Sequence, residues 1–228
     1  MLKMKNPWEK LVKSSKGLYV LDEDYGMLMA HNKHAIVRDR FVLDLIPEPF
    51  TGDARAPIVI LNTNPGYSPQ DYQTLKDVYF SQMALANIVY QRVAPDYPFF
   101  MLSPKIYDTP TYKWWRKIFK PLDEHHINMQ TISQNIFCIR YVGYHSSAYN
   151  VSRSFSLPSM LYTKYLIECS IKRNALILCQ RSHQRFQKLV PSLHKYNNIY
   201  YALNPQFPII NEYNYGEGYI KCLKLLNS

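Results

Sequence analysis

The sequence predicts an α/β protein, a three-layer α/β/α sandwich built on a four-stranded, mostly parallel central sheet. Three observations lead there. Four short apolar runs, at 58–61, 135–141, 175–179 and 199–203, alternate with stretches of helical spacing, the pattern of a parallel sheet covered on both faces. Each run ends in a polar cluster: Asn62 and Asn64, then Arg140 and His145, then Arg181, then Asn204 and Gln206. Residues 57–71 show the unit most fully, with an apolar strand, a break at Asn62-Thr63-Asn64, a sharp turn through Pro65-Gly66 and Pro69, and a helical pattern after it. In such a sheet the strand ends, turn amides and helix N-termini face one crevice.

Taken in order, residues 1–17 read as a short amphipathic helix after Asn6-Pro7, with Trp8, Leu11 and Val12 on one side. Residues 18–22 and 41–46 read as short strands, and 25–40 has no clean period. The Pro-rich stretch 47–53 is a turn-rich lead into the first central strand. Residues 72–93 read as one long helix, with Leu75, Val78, Tyr79, Met83, Ala86 and Val89 near helical spacing. Residues 97–104, bounded by prolines, read as an extended edge or loop. Helices are expected at 112–119, 158–171, 182–190 and 218–226, the third with Ser182 as its N-cap.

The chain of 228 residues reads as a single domain, 1–228, in which an N-terminal extension (1–46) packs on an α/β core (47–228). No segment approaches the roughly 18 uncharged apolar residues of a membrane span. The basic N-terminus lacks an apolar h-region, so no secretory signal is expected. Cys138, Cys169, Cys179 and Cys222 are far apart and form no C-x-x-C. Three sit inside apolar runs and read as buried thiols of a reducing compartment, which makes the cytoplasm the expected location.

The formal net charge is +10. Between 150 and 200, Arg153, Lys164, Lys172, Arg173, Arg181, Arg185, Lys188 and Lys195 face a single acid, Glu168. A basic half suits a polyanionic partner, although solubility charges on helix faces produce the same count. Twenty tyrosines favour the binding reading, because aromatics interleaved with cations suit bases and backbones. Seven glycines and no G-x-x-x-x-G-K-[ST] or G-x-G-x-x-G leave no Gly-rich phosphate loop.

At the first strand end, Asn62 and Asn64 are amides able to hold a water or a base edge, and Pro65, Gly66 and Tyr67 complete the turn; the plain alternative is a turn using Asn and Gly for backbone tolerance. His145, beside Tyr144 and Ser146, is a candidate acid, base or donor. Ser146 has no nucleophile elbow. Neither His125-His126 nor His31/His34 has metal-ligand spacing, so no metal is expected. Trp114-Trp115 reads as one core anchor and one surface contact. Phe99-Phe100 offers either a stacking surface or core. Arg181, Ser182 and Arg185, where the third strand enters its helix, occupy a natural phosphate position.

Asn62-Thr63-Asn64-Pro65-Gly66-Tyr67, the 175–186 strand-to-helix segment and Asn204-Pro205-Gln206-Phe207-Pro208 together resemble the uracil-DNA glycosylase superfamily, in its Asn-Pro-Gly branches and an uncharacterised bacterial set near them. The likeness covers about 47–215 and implies the glycosylase-like version of the sandwich. It further implies a monofunctional DNA N-glycosylase, monomeric and without cofactor, acting on a damaged or modified base. Asn64 would then hold the attacking water, Phe99 or Phe100 would stack on the flipped base, and Asn204 would stand where the family places a His against the departing base. Arg140, Tyr144, Ser146 and Gln206 would line the substrate. Two departures stand out: no His follows the fourth strand, and the base-reading Asn of the second strand is missing. A non-catalytic nucleic-acid or nucleotide binder on the same fold, and a hydrolase of free nucleosides, are the alternatives.

Overall fold

The computed structural model describes residues 4–12, 14, 17–152 and 154–227. Arg153 and part of the expected 1–17 helix lie outside the described residues; within that stretch Pro7–Lys10 forms a 3₁₀ turn capped by the Asn6 side chain.

The sheet has five strands: β1 (Phe50–Gly52), β2 (Ile58–Asn62), β3 (Ile136–Arg140), β4 (Leu176–Cys179) and β5 (Ile199–Tyr201), in the order β1-β3-β2-β4-β5. The four expected strands are β2 to β5 and run parallel. The fifth, β1, pairs antiparallel with β3 and lies inside the stretch expected to be only a turn. Proline tolerates a sheet edge, and here Pro49 uses its carbonyl to accept from the Arg140 amide at 2.9 Å. Gly52 closes the edge at φ +101°, where an added Cβ would lie 2.5 Å from the Ile136 carbonyl oxygen.

All five residues of β2 and of β3 are buried. Successive strand side chains point to opposite faces, so both faces of the sheet centre are covered. The helices are α1 (Asp22–His34), α2 (Asp71–Lys76), α3 (Val78–Tyr90), α4 (Pro110–Phe119), α5 (Met129–Asn135), α6 (Met160–Lys172), α7 (His183–Leu189), α8 (Glu212–Tyr215) and α9 (Glu217–Leu226). In the order β1-β3-β2-β4-β5 the β2-to-β3 connection steps one way across the sheet and the β3-to-β4 connection the other, and the right-handed rule for parallel strands assigns such connections to opposite faces.

Some expected elements differ. Residues 18–22 make one bridge-like bond, Tyr19 N–H to the Leu43 carbonyl at 2.7 Å, before α1 begins. In 41–46 only Val42 bridges, to His145. Helix α1 carries no apolar stripe, burying only Asp24 and Leu28, which is why 25–40 shows no period; its first turn instead holds Asp22, Glu23 and Asp24 against the helix dipole. The expected 72–93 helix breaks at Asp77, whose extended backbone ends α2 and whose carboxylate caps the Phe80 amide of α3 at 2.8 Å. Residues 97–104 fold into 3₁₀ turns, Phe100–Leu102 and the start of Pro104–Ile106. Trp8, Leu21, Leu28 and Phe41 join the same hydrophobic cluster as the sheet residues. Among the described residues no helix is long and apolar enough to cross a membrane. Burial pushes the Cys138 thiol up to about 11 and those of Cys179 and Cys222 up to about 12.

Candidate functional site

The parallel register sets Asn62 opposite Arg140 at the carboxyl ends of β2 and β3, and Gln180 follows β4 directly. Asn62 is buried, accepts from the Thr63 amide at 2.8 Å and donates to Gln180 Oε1 at 2.8 Å. It thereby ties two strand ends together.

Asn64 stands one turn further out. Its Nδ2 donates to the Pro65 carbonyl at 2.9 Å, the Tyr144 carbonyl at 3.3 Å and Ser146 Oγ at 2.9 Å. Its Oδ1 has no partner among the described residues. The amide is held by its nitrogen, and an acceptor is left to face outward.

Arg140 is buried and donates from Nη2 to Glu48 Oε2 at 2.7 Å and from Nη1 to the Asn64 carbonyl at 3.3 Å. His145 brings both ring nitrogens to main-chain oxygens, Nδ1 to Gly66 at 2.8 Å and Nε2 to Ile46 at 3.0 Å, with Glu48 Oε1 at 4.0 Å. Neither nitrogen is presented as a free base.

Asp71 opens α2. Its Oδ2 accepts the Ser68 amide at 2.7 Å, and its Oδ1 has no partner among the described residues. Burial pushes its carboxyl above the ordinary aspartate value, against the Ser68 amide and the His145 charge, which pull it down.

These groups enclose a cavity of about 280 Å³, walled by Asn62, Asn64, Asp71, Arg140, Arg181 and His145, with Tyr67, Trp114 and Trp115 as its aromatic side. Trp115 is a core residue, packed edge-on to Phe99 at 4.8 Å, while Trp114 is half-buried at the mouth. A second cavity of about 460 Å³ adjoins it, walled by Ser146, Ser182 and Gln206 among others. Asn64, Gly66 and Arg181 belong to both.

The remaining candidates are placed otherwise. Phe99 and Phe100 are 0% and 3% exposed and wall neither cavity; the aromatic side of the smaller one is formed by Tyr67, Trp114 and Trp115 instead. The Tyr144 ring is buried and its hydroxyl donates to Asp24 Oδ2 at 2.9 Å, away from the site. Asn204 accepts the Gln206 and Phe207 amides at 3.1 and 3.3 Å and so builds its own turn. Arg185 braces the Val151 and Ser152 carbonyls at 2.8 and 3.2 Å over the Tyr149 ring. Ser182 occupies the cap position of α7 in the left-handed region (φ 57°), with no capping bond from its side chain; its Oγ lies 2.9 Å from Thr63 Oγ1. Arg181 donates from Nε to the Pro205 carbonyl at 2.7 Å and from Nη2 to that of Gln206 at 3.2 Å. Burial and nearby Arg140 lower its pKa, and Nη1 has no partner among the described residues.

Glu48 and Asp71 were not among the sequence candidates. Asp71 had a signal: Ser68-x-x-Asp71 has the spacing of a capping box, in which the acid reaches back to the first residue's amide. Comparison with protein-family models, with curated proteins and with solved structures finds no match.

Proposed function

We propose that this chain takes an extruded base of DNA into the smaller cavity and hydrolyses its N-glycosidic bond. One observation carries the reading: Asn64, with its amide oxygen unpartnered, is shared between a cavity of about 280 Å³ and an adjoining one of about 460 Å³ that holds Arg181, Ser182 and Gln206. The smaller falls near the lower bound of ligand pockets, roughly 300 Å³, and its aromatic side suits a flat ring. The larger offers a guanidinium and hydroxyls to a sugar-phosphate. The glycosidic carbon would then lie at Asn64.

In this reading Asn64 Oδ1 accepts a hydrogen bond from water and aims its oxygen at C1′. A neutral amide orients that water but cannot take its proton. Glu48 is held in an ion pair and His145 is held by two carbonyls, which leaves Asp71 as the proton acceptor on the wall. The water oxygen bonds to C1′, the C1′–N bond breaks, the proton passes to the Asp71 carboxylate, and the bonding pair leaves with the base. Arg181 Nη1 meets either that charge or the flanking phosphate.

The side-chain oxygen of Asn204, spent on its own turn, supports a second reading in which the chain binds nucleic acid without cutting it. Incubation with oligonucleotides bearing varied lesions, followed by detection of abasic sites, separates the two. The glycosylase reading expects abasic product, lowered about 10²-fold by Asn64→Ala through loss of positioning. A tight, salt-sensitive complex without product on any substrate favours the binder. Excision at the wild-type rate by Asn64→Ala would sink the mechanism.

A further inference from the structure

At the other end of the sheet, where β2 and β4 begin, Pro57 and Leu176 floor a third basin of about 900 Å³. It is walled by five cations, Arg55, Arg173, Lys195, Lys221 and Lys224, and by no carboxylate. Two of the five are neutralised nearby: Arg55 by Asp53 at 2.7 Å and Lys221 by Glu217 at 3.2 Å. Arg173, Lys195 and Lys224 have no ion-pair partner among the described residues. Arg173 is half-buried and donates from Nη2 to the Ala56 carbonyl at 2.8 Å, which fixes its guanidinium at the wall.

Cations at helix C-termini commonly serve the helix. Arg173 is the C-cap of α6 and Lys224 lies in the last turn of α9, so the dipoles offer a rival explanation. The magnitudes decide against it as a full account. Each helix end carries about −0.5 charge, so two amount to about −1 against three unpaired cations. About two positive charges remain around one concave surface, together with Asn197 and Tyr196 as polar neighbours.

We infer that this basin is a second, independent anion site, shaped for a ligand bearing two or more adjacent phosphate groups. A point cation such as lysine and the planar fork of Arg173 both suit phosphate oxygens. The source is either a nucleoside polyphosphate or the backbone of a nucleic acid. The basin is separated from Asn64 by the length of β2, about 13 Å at ~3.3 Å per residue step, so a strand seated at Asn64 does not fill it without wrapping around the sheet.

The test is calorimetric titration of the full chain with inorganic triphosphate, at low and at moderate salt. The variants are Lys195→Glu/Lys224→Glu, both exposed positions without side-chain partners, and Lys33→Glu/Lys76→Glu, exposed positions that wall none of the three cavities, as the charge-matched control. Binding is expected in the wild type, unchanged in Lys33→Glu/Lys76→Glu, and weakened about tenfold or more in Lys195→Glu/Lys224→Glu, a difference of ~1.4 kcal/mol or greater. Lys195→Ala/Lys224→Ala, which removes charge without reversing it, is expected to fall between. No binding by the wild type, equal binding by Lys195→Glu/Lys224→Glu, or an equal loss in Lys33→Glu/Lys76→Glu overturns the inference. Competition by a lesion-free single-stranded oligonucleotide supports the site with backbone as its source; triphosphate binding that this oligonucleotide leaves untouched supports it with a small polyphosphate.

Discussion

Ser146 Oγ accepts from Asn64 Nδ2 at 2.9 Å and donates its own O–H to the Ala148 carbonyl at 2.9 Å. This chain decides which end of the Asn64 amide faces the cavity. A hydroxyl whose single O–H is already donated elsewhere can only accept, so it selects the nitrogen of Asn64 and leaves the oxygen without a protein partner among the described residues.

Ser146→Ala removes that selection and takes one hydroxyl, already donating to Ala148, from the wall of the larger cavity. One neutral hydrogen bond contributes about 1 kcal/mol, so excision is expected to fall roughly fivefold, with the melting temperature lowered by only a few degrees. The comparison of single-turnover rate with thermal melting checks it. A rate equal to wild type would show that the Pro65 and Tyr144 carbonyls orient the amide without help.

The Glu48–Arg140 pair, at 2.7 Å and with both side chains 6% exposed, joins the segment before β1 to the end of β3. Removing one partner of a buried pair leaves an uncompensated charge and costs about 3–5 kcal/mol. Glu48→Gln is expected to lose stability on that scale in urea unfolding. Glu48→Gln/Arg140→Met should recover a large part of the loss, because it removes both charges together. A double variant as unstable as the sum of the single ones would deny the coupling.

Asp71 gives a pH signature of its own. Its folded pKa is raised chiefly by burial above the ordinary aspartate value, so the charged form is disfavoured in the fold. The resulting penalty is present above the folded pKa and disappears as pH falls below the unfolded one. Asp71→Asn, which keeps an acceptor for the Ser68 amide, should therefore melt higher than wild type near neutral pH and lose that advantage in acid. Its excision rate should drop by about 10²-fold or more, as expected on removing a general base. The acid limb of the wild-type rate profile should vanish with it. Wild-type activity that persists in Asp71→Asn with an unchanged acid limb would assign the proton to another group.

The parallel strands at the sheet centre were legible because their burial on both faces writes continuous apolar runs at 58–61, 136–139 and 176–179. Strand β1 was not, since three residues that follow Pro49 and end in Gly52 carry too little pattern to distinguish an edge strand from a turn. Helix α1 was hidden for the opposite reason: it buries an aspartate and a leucine, so helical spacing of apolar residues never appears. At the site, Asn62, Asn64, Arg140, His145 and Arg181 could be placed together because parallel topology brings their strand ends to one side. What each side chain does there could not be read. The turn that occupies Asn204 is local, closed by amides two and three residues on, but a free side chain and a turn-building one have the same sequence there; the carbonyls that hold Arg185 come from Val151 and Ser152, far back in the chain. The pair Phe99-Phe100 fits a core and a stacking surface equally well until neighbours such as Trp115 and Phe80 are known.

The adjacent tryptophans should separate stability from binding. Trp115 is 1% exposed, stacks on Phe119 at 5.6 Å and directs its indole N–H to Met101 Sδ at 3.1 Å. Trp115→Ala is expected to cost about 3–5 kcal/mol as a large core truncation. Trp114 is half-buried at the cavity mouth and touches the core through Trp115, edge-on at 4.6 Å. Its truncation removes mainly an aromatic wall, and base stacking on such a wall contributes about 1–3 kcal/mol. Trp114→Ala should therefore bind a lesion-bearing single strand more weakly by roughly five- to a hundredfold, while melting within a few degrees of wild type. Unchanged affinity in a folded Trp114→Ala protein would move the base out of this cavity, and with it the role assigned to Asn64.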